Sequence, residues 1–432
     1  MSQIENANFL NRNKPIRILS KPDQMKEMDK AKICITVIDF PHEGGISAIV
    51  EDLIHYFGQK YEVHVLTNKS MRNKSLDIST HLNFQLHYWN TPNLLPVKPI
   101  WHLIFATITL WKLTRIYRFR AILAQDGAII GLSTVLVGRI LRVKSVVMDH
   151  GTAMNRLDAF FWDNVSHIRG KFFRRLARGI FWLIIGITAW LANELFYYGI
   201  NCEGAETELD TMYKRGFRVN VNKIKYYKYF INTSVFKPVS NKFEFYQLRK
   251  DWKIPNEAVV VNMIARLSPE KGFDYALPAL AEIICEYDDL FVIIGGSGPM
   301  EGWINEFIEI RKLKDRVKLI GHVPRTKVPD LLRLSDIHLY AGVMSCCFTI
   351  TVLEAMSCGC VPIATYAPIA HKYVLDGYNG IAIPPKDTNE IKLALKKLLL
   401  DKHRLENMKL AARNYILNNH DYKAAGKFYE HI

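Results

Sequence analysis

Two successive runs of alternating strand-length and helix-length segments, parted by a short polar stretch, restrict this chain more than any other feature. In the first run, residues 33–38, 62–66, 121–124 and 145–148 are apolar segments of the kind that fill buried strands, with amphipathic helical stretches over 46–58 and 129–141. In the second, 258–264, 290–295, 317–320, 337–340 and 361–364 read as strands, and helices are expected near 273–286, 300–311, 328–333, 349–357 and 388–400. Such alternation predicts parallel sheets with helical crossovers. The break falls at 231–241, which is polar and contains Pro238. The expected plan is a polar leader over 1–31, one α/β domain over 32–231 and a second over 238–419. A length of 432 residues suits it. In doubly wound domains ligands sit beyond the carboxyl ends of the strands, so the chemistry is expected in the loops that follow each strand, in a cleft between the two domains.

Charge separates the two halves. Residues 1–231 hold 31 Lys/Arg against 19 Asp/Glu, a net of +12; residues 232–432 hold 26 against 23, a net of +3. A basic first half suits a nucleic acid, an anionic membrane face or a phosphate-bearing substrate. No zinc-finger, RNP or basic-zipper pattern is present, which argues against nucleic acid. The first 32 residues are polar, without the apolar core of a secretory signal, and the seven cysteines are an odd number. A reducing, cytoplasmic setting is expected. Cys346, Cys347, Cys358 and Cys360 lie close together, but without a C-x2-C pair they lack zinc spacing, and no metal is expected. The apolar, uncharged run 179–193 is shorter than the ~20 residues of a membrane-crossing helix.

Four loops carry candidate chemistry. Gly44-Gly45 follows the first strand and precedes a helix; paired glycines there let a backbone approach a phosphate or sugar, though they also make a tight turn. Arg266 and Lys271 follow the first strand of the second half, where two cations suit a diphosphate and a solvated loop is the alternative. Gly296 and Gly298 follow the next strand without completing a dinucleotide fingerprint. Glu354 stands in an apolar helix that closes at Gly359; a buried acid there needs a partner, either a ribose diol or a backbone amide or Arg. The amides of Thr349 and Ile350 would open that helix toward a phosphate.

Taken together and in order, these blocks resemble the retaining, family-4 type of GT-B glycosyltransferase. Gly44-Gly45, Asp149-His150-Gly151, the segment from Tyr229 to Pro238, Arg266 with Lys271, Gly321-His322-Val323-Pro324, and Glu354-Ala355-Met356 with Gly359 match its motifs over roughly 33–429. The resemblance implies an α/β GT-B fold of two doubly wound Rossmann-like domains facing across a cleft, with the last segment, 420–432, packing back on the first domain. It implies a metal-independent hexosyl transfer with retention and no cofactor beyond the nucleotide-sugar co-substrate. His150 would position the sugar. Arg266 and Lys271 would stabilise the leaving diphosphate, and Glu354 would hold the ribose. His322 and Val323 would pack on the base, while Gly44, Gly45, Gly296, Gly298, Cys346, Phe348, Thr349 and Ile350 complete the donor site. Cys346 departs from the pattern, because the family has a Glu there that contacts the transferred sugar.

The acceptor side falls to the first half, and the acceptor is expected to be a lipid-linked or cell-surface glycan. Arg169 to Trp182 interleaves basic and aromatic residues, as does Trp111 to Arg120. Such mixtures suit peripheral binding to an anionic membrane on its inner face, or a core helix with a basic edge. An alternative to the enzyme is a catalytically silent nucleotide-sugar-binding subunit, which Cys346 favours.

Overall fold

The computed structural model describes residues 16–18, 30–38, 40, 45–69, 83–91, 98–150, 171–198, 216–343, 350–365, 373–430 and 432. The chain divides into two compact units, 1–197 with 208–225, and 198–207 with 226–432.

The first unit holds strands β1 (Ile16–Ile18), β2 (Lys32–Thr36), β3 (Glu62–Asn68), β4 (Phe84–Trp89), β5 (Ala121–Ala124), β6 (Lys144–Asp149), β7 (Glu194–Tyr198) and β8 (Ile224–Tyr227), the last running up to and across the unit boundary. Their order is β1-β4-β3-β2-β5-β6-β7-β8. From β4 to β7 the pairs are parallel, and β1 joins antiparallel to β4. β1 lies inside the expected polar leader, where Ile16-Arg17-Ile18 alternates as an edge strand should. Helices α1 (Gly45–Gly58), α2 (Lys98–Tyr117), α3 (Ile129–Leu141) and α4 (Lys171–Leu191) complete the unit. α2, α3 and α4 share one apolar cluster with Cys34, Leu66, Ile122 and Val147 of the sheet. Ile33, Ile35, Val65 and Leu123, at the alternate strand positions, are equally buried, so both sheet faces are covered. His64 and His87 lie inside this sheet, stacked at 5.1 Å with Nδ1 and Nε2 2.8 Å apart.

The second unit repeats the scheme with β9 (Val259–Ile264), β10 (Leu290–Gly295), β11 (Val317–Leu319), β12 (Ile337–Tyr340), β13 (Val361–Thr365) and β14 (Ile381–Ile383), all parallel in the order β11-β10-β9-β12-β13-β14. The helices are α5 (Lys242–Asp251), α6 (Phe273–Glu286), α7 (Glu301–Ile310), α8 (Val328–Arg333), α9 (Ile350–Cys358), α10 (Thr388–Leu400), α11 (Lys402–Asn419) and α12 (Tyr422–Gly426). Asn241, Asp387, Asp401 and Asp421 cap α5, α10, α11 and α12 by accepting amide hydrogen bonds, which fixes where these helices begin. Behind the sheet, at the amino ends of β9 and β12, Asp336 accepts from Arg249 Nη2 and Val260 N at 2.9 Å and pairs with Lys409 Nζ at 2.7 Å. The closing helix α12 belongs to the second unit. The rings of Tyr422 and Tyr429 lie tilted against Phe230 at 5.7 and 4.5 Å, and Ile231 N donates to His420 O at 2.8 Å, so the described contacts of this closing segment reach the end of the stretch expected to close the first domain.

Candidate functional site

In the second sheet the strand order reverses between β9 and β12, so the loops beyond these strands open the place where such a domain holds its ligand. After β9, the Arg266 guanidinium is 69% exposed and pairs with Glu270, while Ser268 Oγ donates to the same carboxylate at 2.6 Å. Burial works against the Glu270 carboxylate. The hydrogen bonds from Ser268 and Arg266 outweigh it and hold its pKa below the usual range. One acid thus fixes the loop and leaves the Arg266 head in solvent. Lys271 Nζ stands 5.6 Å over the ring of Tyr340, the last residue of β12, so both cations lie at the reversal point.

The glycine turn after β10 is knitted into that loop. Leu267 N donates to Ser297 O and Met300 N to Leu267 O, each at 2.9 Å, and Gly296 N donates to Gly321 O at 2.7 Å. Gly296 and Gly298 take φ of +142° and +155°. A Cβ on them would stand 1.9 Å from Ala265 O and 2.3 Å from Leu267 O. These glycines are therefore required by the chain's own backbone, whatever else approaches them. Next to them, His322 is exposed and Val323 half-buried.

Glu354 sits in α9, a helix that starts at Ile350 and runs out at Gly359, whose φ is +87°. Its side chain is 1% exposed, and Oε1 lies 2.5 Å from Arg325 Nη1. Oε2 finds no hydrogen-bond donor among the described residues. Burial pushes the Glu354 pKa up and Arg325 pulls it back, leaving it above the usual carboxylate range. Arg325 in turn lies 4.8 Å over the ring of Phe236. The segment around Phe236 is held from both sides. Arg413 Nη1 donates to Phe236 O and Ser357 O at 2.8 Å, and Arg333 donates to Lys237 O at 3.0 Å and Val235 O at 2.9 Å.

In the first unit the order reverses between β2 and β5. His150, buried just past β6, meets Gln125 just past β5, with Nε2 3.0 Å from Oε1. Gln125 is itself held by N–H donation to Thr36 O at 2.9 Å and by Nε2 donation to Met148 Sδ at 3.3 Å. The amide oxygen only accepts, so His150 carries its proton on Nε2 in this pair. Gly45 opens α1, and among the described residues nothing lies within 4 Å of where its Cβ would be.

Residues 244–415 match the model of the family described as glycosyl transferases group 1. The second unit belongs to that family. Over a longer stretch the chain is similar to the uncharacterized glycosyltransferase MJ1069 of Methanocaldococcus jannaschii, at 20% identity over 91% of this chain and 95% of that one. It is also similar to the phosphatidylinositol N-acetylglucosaminyltransferase GPI3 subunit of Saccharomyces cerevisiae, at 34% identity over 113 residues, 26% of this chain and 25% of that one. Among solved structures, Anabaena Alr3699/HepE in complex with UDP-glucose superposes with a TM-score of 0.69 at 16% identity, covering 93% of this chain and 98% of that one. Its likeness concerns the fold: both units are parallel-sheet α/β domains of the GT-B glycosyltransferase type.

Within the group 1 unit, Arg266, Lys271, Gly296, Gly298, His322, Val323, Ile350 and Glu354 all lie on or beside loops at the carboxyl end of the sheet or in α9. Gly44, Cys346, Phe348 and Thr349 fall outside the described residues, as does the side chain of Asp149. Of the four neighbouring cysteines, Cys358 and Cys360 are buried thiols; Cys360 Sγ donates to Leu332 O at 2.9 Å. Among the described residues no three His, Cys, Asp or Glu side chains are grouped as metal ligands. Two residues were missed in the sequence. Arg325 is the partner that buried Glu354 demanded, and the Gly-His-Val-Pro block that ends one residue before it was the available signal. Gln125 meets His150 through its amide oxygen, and nothing local in the sequence singles it out.

Proposed function

We propose that this glycosyltransferase moves a hexose from a nucleotide-sugar donor to a lipid-linked or cell-surface glycan acceptor, with retention at the anomeric carbon and without a metal. The observation that carries it is Glu354: an acid buried on a helix beside the reversal point of the group 1 unit, with Arg325 on one oxygen and no hydrogen-bond partner for the other among the described residues, a lack that a ribose hydroxyl would fill. A group buried so deeply is costly unless a ligand or ion pair satisfies it. Arg266 and Lys271 would take the charge that builds on the leaving diphosphate, where electrostatic stabilisation acts. The acceptor hydroxyl would attack from the face that the diphosphate leaves and pass its proton to a phosphate oxygen, while His150, oriented by Gln125, holds the transferred sugar. UDP-glucose in the Anabaena neighbour and the phosphatidylinositol acceptor named for the yeast relative support a nucleotide-sugar donor and a lipid acceptor. The setting is cytoplasmic, peripheral on the inner face of the membrane.

A thermal-shift panel of UDP-, GDP- and ADP-sugars tests the donor, since binding stabilises the fold by linkage. Glu354→Ala and Lys271→Ala are expected each to weaken donor binding by about 1.5–3 kcal/mol, as for hydrogen bonds to charged groups. Unchanged affinity in both would remove the site from these loops. Cys346, in place of an acid, favours a second reading: a silent subunit that binds the donor for an active partner. Sugar transfer by the purified chain decides between the two.

A further inference from the structure

The outer face of the α2–α3–α4 layer is apolar where water should make it polar. On α2, Ile100, Ile104 and Ile108 stand exposed at four-residue spacing, while Ala106, Leu110 and Thr114 turn inward. On α4, Ile180, Leu183 and Trp190 stand exposed, and Trp182, Ile185 and Ala189 enter the core. Trp182 and Phe119, expected from the sequence among membrane-facing aromatics, are thus core residues; the outward stripe begins on the opposite side of the same helix. The three helices lie side by side. Thr107 Oγ1 donates to Ser133 Oγ at 3.0 Å across α2 and α3, and Arg139 Nε of α3 donates to Leu191 O of α4 at 3.1 Å. A Cβ on Gly131 of α3 would stand 2.9 Å from Thr188 Cγ2 of α4. The stripes therefore share one surface, since all three helices cover the same sheet face.

Charge says what covers it. α2, α3 and α4 contain no Asp or Glu and eight Lys or Arg. The Arg115 guanidinium rests 5.1 Å over Trp111, and Lys223 Nζ donates to Trp190 O at 2.9 Å, so cations border the apolar stripes. A second copy of this chain is a poor occupant, because a two-fold contact would set three helices that carry cations and no acid against themselves. No helix among the described residues is long and apolar enough to cross a membrane, so the helices would lie along one.

We propose that this three-helix face docks on an anionic bilayer, with its isoleucines at the acyl boundary and its Lys and Arg among the lipid phosphates. It deepens the lipid-linked acceptor reading and rests on it only for its purpose: docking would hold the acceptor-side unit where such an acceptor is anchored. The binding itself needs no donor and no turnover.

The test is co-sedimentation of the full chain with vesicles of phosphatidylcholine alone or mixed with phosphatidylglycerol. Binding should require the anionic lipid and fall as salt rises from about 0.1 M to about 1 M, which shortens the Debye length from ~10 Å to ~3 Å. Ile104→Asp with Leu183→Asp should cut binding to the mixed vesicles at least about tenfold, since it removes two buried apolar contacts and adds two repelled charges. If that variant fails to fold, Ile104→Ser with Leu183→Ser replaces it. Equal recovery with neutral lipid, or a folded variant that binds as the parent does, would overturn the proposal. So would a dimer that only the parent forms, with vesicle binding unaffected. Nucleotide-sugar thermal shifts on the same samples separate the two readings: vesicle binding without a donor shift defeats the transferase alone, and a donor shift without vesicle binding defeats the membrane face alone.

Discussion

Asp336→Ala should cost the second unit about 3–5 kcal/mol, the range for removing one partner of a buried ion pair. Arg249 is 1% exposed, and its guanidinium donates to Asp336 Oδ2 and to the carbonyls of Pro255, Asn256, Ala258 and Leu334. The carbonyls satisfy its N–H groups but supply no countercharge. Asp336 alone among these contacts does so, and it also neutralises Lys409 and accepts from Val260 N. Its loss strands one fully buried cation and a strand amide, and leaves Lys409 with Glu406 alone. Calorimetry with two resolved transitions should show only the second unit's midpoint falling, because the units are separate compact bodies. A loss under about 1 kcal/mol would mean that the carbonyl cage alone carries Arg249. Asp336 lies behind the sheet, so donor affinity in the folded variant should change little, which separates this effect from those of Glu354 and Lys271.

Mild acid should destabilise both units before the carboxylates with lowered pKa titrate. His338 is pushed down to about 3 and His420 to about 4 by burial, and burial likewise lowers His64 and His87, with each other's and Lys32's charge adding to it at His64. The unfolded chain titrates these near 6.5. Above that pH both states are neutral at these sites and the stability is fully present. As pH falls below about 6.5 the unfolded chain takes up protons that the folded chain refuses, and stability is lost until the folded pKa is reached. At pH 5 this amounts to about 2 kcal/mol per histidine, or roughly 4 kcal/mol for each unit with its two. The carboxylates with lowered pKa, Glu244 and Glu270, act in the same direction only below about 4.5. Between pH 6.5 and 5 the histidines therefore set the loss, and Glu354, whose pKa burial raises, offsets part of it in the second unit. Thermal midpoints across it should fall steeply, and His338→Gln should flatten the second unit's slope by about one proton. A flat profile from pH 7 to 5 would mean that these rings titrate in the folded protein.

The inner strands of the second unit were legible in sequence because they are buried on both faces. Val259–Ile264 and Leu290–Gly295 are near-continuous apolar runs with no competing interpretation. In the first unit β4 was overlooked, since Phe84-Gln85-Leu86-His87-Tyr88-Trp89 hides a buried histidine whose partner, His64, is 23 residues away. α2 and α4 were ambiguous for a different reason. Along α2, and along the uncharged half of α4, apolar residues stand on the core side and on the outer side too, which blurs the stripe that would mark a helix. At the site, Arg266, Lys271 and Glu354 could be found because each follows a strand or breaks an apolar helix. Gln125 could not, and Arg325 had only its place beside the Gly-His-Val-Pro block to mark it. Each is defined by a partner 25 to 29 positions distant, brought near only by the strand order.

The backbone hydrogen bonds among 265–267, 295–300 and 321 carry a lesson for redesign. Those three loops are not independent parts to be exchanged one at a time. Grafting a foreign loop over 295–300 alone, with any side chain at 296 or 298, would drive a carbon into the carbonyls of Ala265 and Leu267 and displace the cations beside them. A change of donor preference would have to move all three segments as a single cassette, or leave their backbone untouched and alter only outward side chains such as His322.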